Sequence, residues 1–157
     1  MQNTFPRNPA RGIAGALVHV DKHTAITKQA LEPLDFGMVC SWSDGTRKKV
    51  SLFNSNSDEV AGVVMHQLKE PSVDGNLSRF ETDEIVGVLR EGSIFCILDE
   101  TVTDLSNHTV HVRFNTGGSG QGSVGVTAGA DRVSVGSKLE LMNTGSIGDI
   151  VEVRVKL

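Results

Sequence analysis

Val151-Glu152-Val153-Arg154-Val155-Lys156-Leu157 places an apolar side chain at every second residue and a charged one between. In an extended chain successive side chains point to opposite faces, so this segment reads as a strand with one face buried and one in water. The same period runs through Val110-His111-Val112-Arg113-Phe114, and through Lys49-Val50-Ser51-Leu52 after the turn signal Ser43-Asp44-Gly45.

Three further runs are apolar without clean alternation: Val60-Ala61-Gly62-Val63-Val64-Met65-His66, Glu84-Ile85-Val86-Gly87-Val88-Leu89-Arg90 and Ser93-Ile94-Phe95-Cys96-Ile97-Leu98. They predict short strands covered on both faces. Turn formers punctuate the chain at Asn54-Ser55-Asn56-Ser57, Asp74-Gly75-Asn76, Glu91-Gly92, Ser106-Asn107, Asn143-Thr144-Gly145 and Gly148-Asp149. Short strands so punctuated predict an all-β fold, a β-sandwich or a β-barrel. One stretch competes for helix: Ser57 could cap a helix over Ser57 to Gln67, with Asp58 and Glu59 in its first turn. Gly62 and the neighbouring valines disfavour helix, and strand is preferred. The opening residues MQNTFPRNPAR carry two prolines and no periodicity, so residues 1–11 read as an extended N-terminal arm and residues 12–157 as a single β-domain.

A chain of 157 residues suffices for one domain with a core. Its net charge of −4 and its scattered Lys and Arg argue against nucleic acid, since the one basic run, Arg47-Lys48-Lys49, follows a turn as the solvated start of a strand. No stretch reaches membrane-spanning length, and the apolar run after Arg11 is too short for a secretory signal. Cys40 and Cys96 each sit inside an apolar run, far from one another and from any CxxC pattern, and so read as buried free thiols of a protein made and used in a reducing cytoplasm.

Gly120-Gln121-Gly122-Ser123-Val124-Gly125 matches GxGxxG, the pattern that cradles dinucleotide phosphates between a strand and a helix N-terminus. The residues after it, from Val126 to Gly136, are rich in valine and glycine and start no helix, and the 17 glycines of the chain make such spacings common. Residues 115–130 therefore read as a long, flexible, exposed connection whose glycines tolerate substitution. His19 and His23 share a face but lack a third ligand, and His108 and His111 would point to opposite faces of a strand, so no metal site is expected. Asp83-Glu84 and Asp99-Glu100 sit beside turns, where water is expected to solvate them. No GxSxG motif or paired nucleophile and base occurs, and neither catalytic residues nor cofactors are expected.

Trimeric deoxyuridine triphosphate hydrolases are all-β, acidic and of similar length, but their uracil-recognition motif needs a tyrosine and this chain has none. The order of elements resembles instead the decoration, or structural cement, proteins of tailed-bacteriophage heads. The resemblance lies in Leu34-Asp35-Phe36-Gly37-Met38-Val39-Cys40, Val50-Ser51-Leu52-Phe53, Val60-Ala61-Gly62-Val63-Val64-Met65, Val86-Gly87-Val88-Leu89-Arg90-Glu91-Gly92-Ser93-Ile94 and a closing β segment. It implies a virion structural protein that binds the outside of the capsid, stabilises contacts between major capsid protein subunits, and works without catalysis. It further implies a homo-oligomer, a trimer in preference to a dimer, made in the host cytoplasm and carried on the capsid surface. A phage tail or receptor-binding β-module is the other structural reading, and a nucleotide hydrolase the enzymatic one. Phe5, Pro6, Pro9 and Ile13 are the apolar residues of the arm and its root, and are the expected contacts to the capsid.

Overall fold

A computed structural model describes residues 13–19, 22–67, 79–106, 109–114 and 120–157. The alternating segments become β1 (Thr24–Ala30), β2 (Leu34–Asp35), β3 (Val39–Trp42), β4 (Lys49–Ser51), β5 (Val60–Val64) and β6 (Arg79–Phe80). They continue as β7 (Ile85–Ile97), β8 (His111–Arg113), β9 (Val124–Gly125), β10 (Arg132–Ser134), β11 (Leu139–Leu141) and β12 (Ile150–Lys156). Among the described residues the helical content is one 3-10 turn, Gly136–Lys138. The fold is all-β, and the segment that might have been helical forms β5.

Five strands close a barrel in the order β1-β4-β3-β5-β7, with β7 returning to β1. The β1–β4 pair is parallel and the other four are antiparallel. Closure leaves none of these strands with a free edge along its paired length, which removes the sites at which sheets aggregate. All five contribute to one core cluster: Ala30 from β1, Cys40 from β3, Val50 from β4, Ala61 and Val64 from β5, and Val86 and Val88 from β7. That cluster is the barrel interior. The short β2–β6 pair adds Leu34 and Phe80 to it, with Phe36 stacked edge-on against Phe80 at 5.2 Å.

A second core lies outside the barrel wall. Val39, Val60, Val63 and Leu89 face it from the barrel. Val151, Val153 and Val155 face it from β12, which bridges β7 and β11. The three-stranded sheet β10-β8-β9 covers it with Val112, Val124 and Val133. β5 therefore has apolar residues on both faces because each face meets a different core, as its unbroken apolar run predicts.

Two expectations are corrected here. Glu91-Gly92 is not a turn: the two apolar runs around it belong to one 13-residue strand, β7. β1 pairs along its first half and β12 along its second, and the two meet at Glu91. The register slips where Thr24 faces Glu91 and Ala25 faces Leu89, so Arg90 is an extra residue on β7. Such a bulge shifts the phase of alternation by one. Leu89 faces the outer core before it, and Ile94 and Cys96 after it. The phase break, not a chain reversal, is what made one strand look like two. The second correction concerns the glycine-rich segment and is given below. The expected turn at Asp74-Gly75-Asn76 lies outside the described residues.

Candidate interaction surfaces

The arm residues Phe5, Pro6 and Pro9 lie outside the described residues, whereas Ile13 is 61% exposed at the point where the chain joins the body. From there the backbone is bonded into the fold. Gly15 donates to Phe95 O and accepts from His66 N, Val18 donates to Ser93 O, and Ala16 O accepts from Phe95 N. The root of the arm is thus fixed against β7. Ile85 and Leu31 are the exposed apolar side chains on either side of the Ala30–Glu84 backbone bond, and Ile147 is exposed in the turn before β12.

GQGSVG is not an exposed connection: over residues 120–125 the expectation of a tolerant surface loop fails, while residues 115–119 lie outside the described residues. Gly122 to Gly125 are buried, and Val124–Gly125 is a strand. Gly122 donates to Arg113 O and accepts from Val39 N, and Gln121 Nε2 donates to Phe53 O at 2.9 Å. The segment therefore stitches the three-stranded sheet to the barrel. Gly122 has φ of 80°, and a Cβ there would lie 2.9 Å from Val39 O. The N–H groups of Gly122 and Ser123 are spent on Arg113 O and Gly120 O, so neither is free to cradle a phosphate. That removes the physical basis for the nucleotide-hydrolase reading of this motif.

Asp99 and Glu100 are not solvated, contrary to expectation. Asp99 N donates to Val124 O, which extends the small sheet beyond β9 and carries both side chains over Gly125. Arg132 reaches them from β10, placing Nη2 3.0 Å from Asp99 Oδ2 and Nη1 3.0 Å from Glu100 Oε2. A Cβ on Gly125 would lie 2.5 Å from an oxygen of each acid, so glycine is what leaves room for the pair. Burial raises the Asp99 carboxyl above its ordinary value against the opposing pull of Arg132. Burial would also raise Glu100, but the bonds from Thr127 N, Val126 N and Arg132 prevail and bring it down to about 2. This cluster was invisible in sequence because its members come from segments more than thirty residues apart.

A second charged group surrounds Trp42, the only tryptophan of the chain. Lys28 Nζ, Arg90 and Arg47 lie 5.4, 5.5 and 5.6 Å from its ring centre. A separate cavity of about 540 Å³, where β1 and β12 meet, is lined by His19, Lys22, Glu91, Arg154 and Lys156 among others. Glu140 engages Lys156 at 2.6 Å. Cys40 and Cys96 are buried free thiols, each pushed up to about 12 by burial. Among the described residues no three His, Cys, Asp or Glu side chains are grouped to hold a metal ion, and no helix is long and apolar enough to cross a membrane. His108, one of the histidines considered for a metal, lies outside the described residues.

The fold is similar to that of a chain in the capsid of Myoviridae phage XM1, with a TM-score of 0.74 at 13% identity over 99% of this chain and 97% of the other. It is also similar to the N-terminal base of head fibre gp8.5 of bacteriophage phi29, with a TM-score of 0.52 at 10% identity over 86% of this chain and 95% of the other. No curated protein matches the chain in sequence. The family model described as structural cement protein (E217 gp24/Pam3 gp6) matches residues 1–156. A double-cored β-barrel without a recognisable catalytic group, matched from its first residue to its last but one, therefore belongs to the phage structural cement proteins.

Proposed function

We propose that the protein binds the outer surface of a phage capsid and stabilises contacts between major capsid protein subunits, without catalysing a reaction. Membership of the cement family over residues 1–156 carries this reading. The physical design agrees with it. The closed barrel resists deformation, and the buried charges Asp99, Glu100 and Arg132 neutralise one another instead of being poised toward solvent. In this reading residues 1–11 are an arm that reaches across the shell, with Phe5, Pro6, Pro9 and Ile13 as its apolar contacts. Residues 12–157 form the body, which assembles as a trimer.

The test is reconstitution. Purified protein is added to capsids that lack it, bound protein is quantified after sedimentation, and the temperature at which the shells rupture is measured. Saturable binding in fixed ratio to the shell protein, with a raised rupture temperature, is expected. Failure to co-sediment sinks the proposal, and sedimentation equilibrium of the free protein tests the trimer separately.

A further inference from the structure

We infer that the barrel end at Trp42 is a docking site for an acidic peptide segment of a partner protein. This end lies where β3 stops and β5 begins, with Trp42 N bonded to Glu59 O at 3.1 Å. Three cations converge on one indole ring there, in a protein whose net charge is −4. Arg47 is paired with Glu59 at 3.0 Å. Lys28 and Arg90 have no carboxylate partner among the described residues; the one polar contact of Arg90 is to Ala61 O at 3.3 Å.

Two further observations point to an incoming acceptor. The Trp42 indole N–H is out of water with no hydrogen-bond partner among the described residues, an arrangement that costs free energy unless an acceptor arrives. Arg90 is the bulge residue of β7, and bulges re-aim side chains at functional sites. Cations held over an aromatic face keep their charge available to a carboxylate on the side away from the ring. The cluster is confined to one ring. It lacks the extended row of cations that follows a nucleic-acid backbone, where affinity comes from many phosphates neutralised together. A short acidic segment fits this geometry better.

Because Trp42 is the only tryptophan, its fluorescence reports the site directly in the full-length protein. Hexaglutamate is titrated at low and at moderate salt, beside sodium acetate and a thymidine oligonucleotide. Saturable quenching by hexaglutamate, weakened by salt and far weaker with acetate, is expected. Lys28→Gln and Arg90→Gln should each lower the affinity at least tenfold. Arg154→Gln, at the separate basic cavity, should leave it within twofold. Circular dichroism of each variant guards against misfolding, and Lys28→Gln on its own suffices if Arg90→Gln unfolds. No response at millimolar peptide overturns the inference, as does an equal loss with Arg154→Gln, which would mark diffuse electrostatics. Tighter binding of the oligonucleotide would reassign the site to nucleic acid. No capsid enters this test, so its failure leaves the cement reading intact.

Discussion

Gly122 and Gly125 share one glycine pattern but are required for different reasons, and both differ from phosphate binding. Gly122 needs a left-handed backbone and close approach to β3, while Gly125 needs only the absence of a side chain beneath Arg132, Asp99 and Glu100. Gly122→Ala and Gly125→Ala should each destabilise the fold by about 2–4 kcal/mol, summing backbone strain or overpacking with disturbed bonds. Chemical denaturation measures this, and a loss below about 1 kcal/mol would return the segment to a tolerant loop. Glu100 makes a second residue-scale prediction. Its folded-state value of about 2 lies below its ordinary 4.5, so its stabilisation is present above pH 4.5 and is lost as pH falls toward 2. Asp99 is shifted the other way, so it favours folding at low pH and opposes it as pH rises through its raised value. Glu100→Gln isolates the first effect. The variant should be less stable by about 1–3 kcal/mol at neutral pH, and the gap should close between pH 4.5 and 2 in denaturation curves.

β7 organises the molecule at the scale of elements. Its first half completes the barrel with β1, and its second half carries β12 and, beyond it, β11. The bulge at Arg90 lets one strand serve both, because the phase change keeps Leu89, Ile94 and Cys96 all facing the outer core. Deleting Arg90 should therefore be far more damaging than substituting it. Without the extra residue Ile94 and Cys96 would turn away from the core and Ser93 and Phe95 would turn toward it, since a one-residue slip moves every side chain to the other face. The deletion is expected to abolish cooperative unfolding and amide dispersion by NMR, whereas Arg90→Ala should retain both.

Two cores share one barrel wall, and an arm of different composition precedes the body; those two facts frame the behaviour of the whole molecule. If residues 1–11 act only on the capsid, removing them should shift the melting temperature of the free protein by no more than a degree or two. Capsid binding should weaken at least tenfold. The physical basis is that ordering a chain costs about 1–2 kcal/mol per residue, a cost that prolines and polar residues cannot offset by burying themselves. Calorimetry and co-sedimentation of the truncated protein check both halves, and unchanged binding would remove the arm from the interface.

The period of two at 110–114 and 151–157, and the unbroken apolar run at 60–66, are local properties, and from them followed the strands, the all-β class and the burial of β5 on both faces. The buried thiols were legible for the same reason, since each sits inside an apolar run. Closure of the barrel depends on which strands become neighbours, and no local pattern encodes the parallel β1–β4 pair. The bulge at Arg90 shows only when β1 is laid against β7, so along the chain it resembled a turn. The burial of GQGSVG and of Asp99, Glu100 and Arg132 was decided the same way. Polar and glycine-rich residues read as exposed until a partner from elsewhere in the chain, here Arg132 across a side chain-free Gly125, supplies the contact that makes their burial affordable.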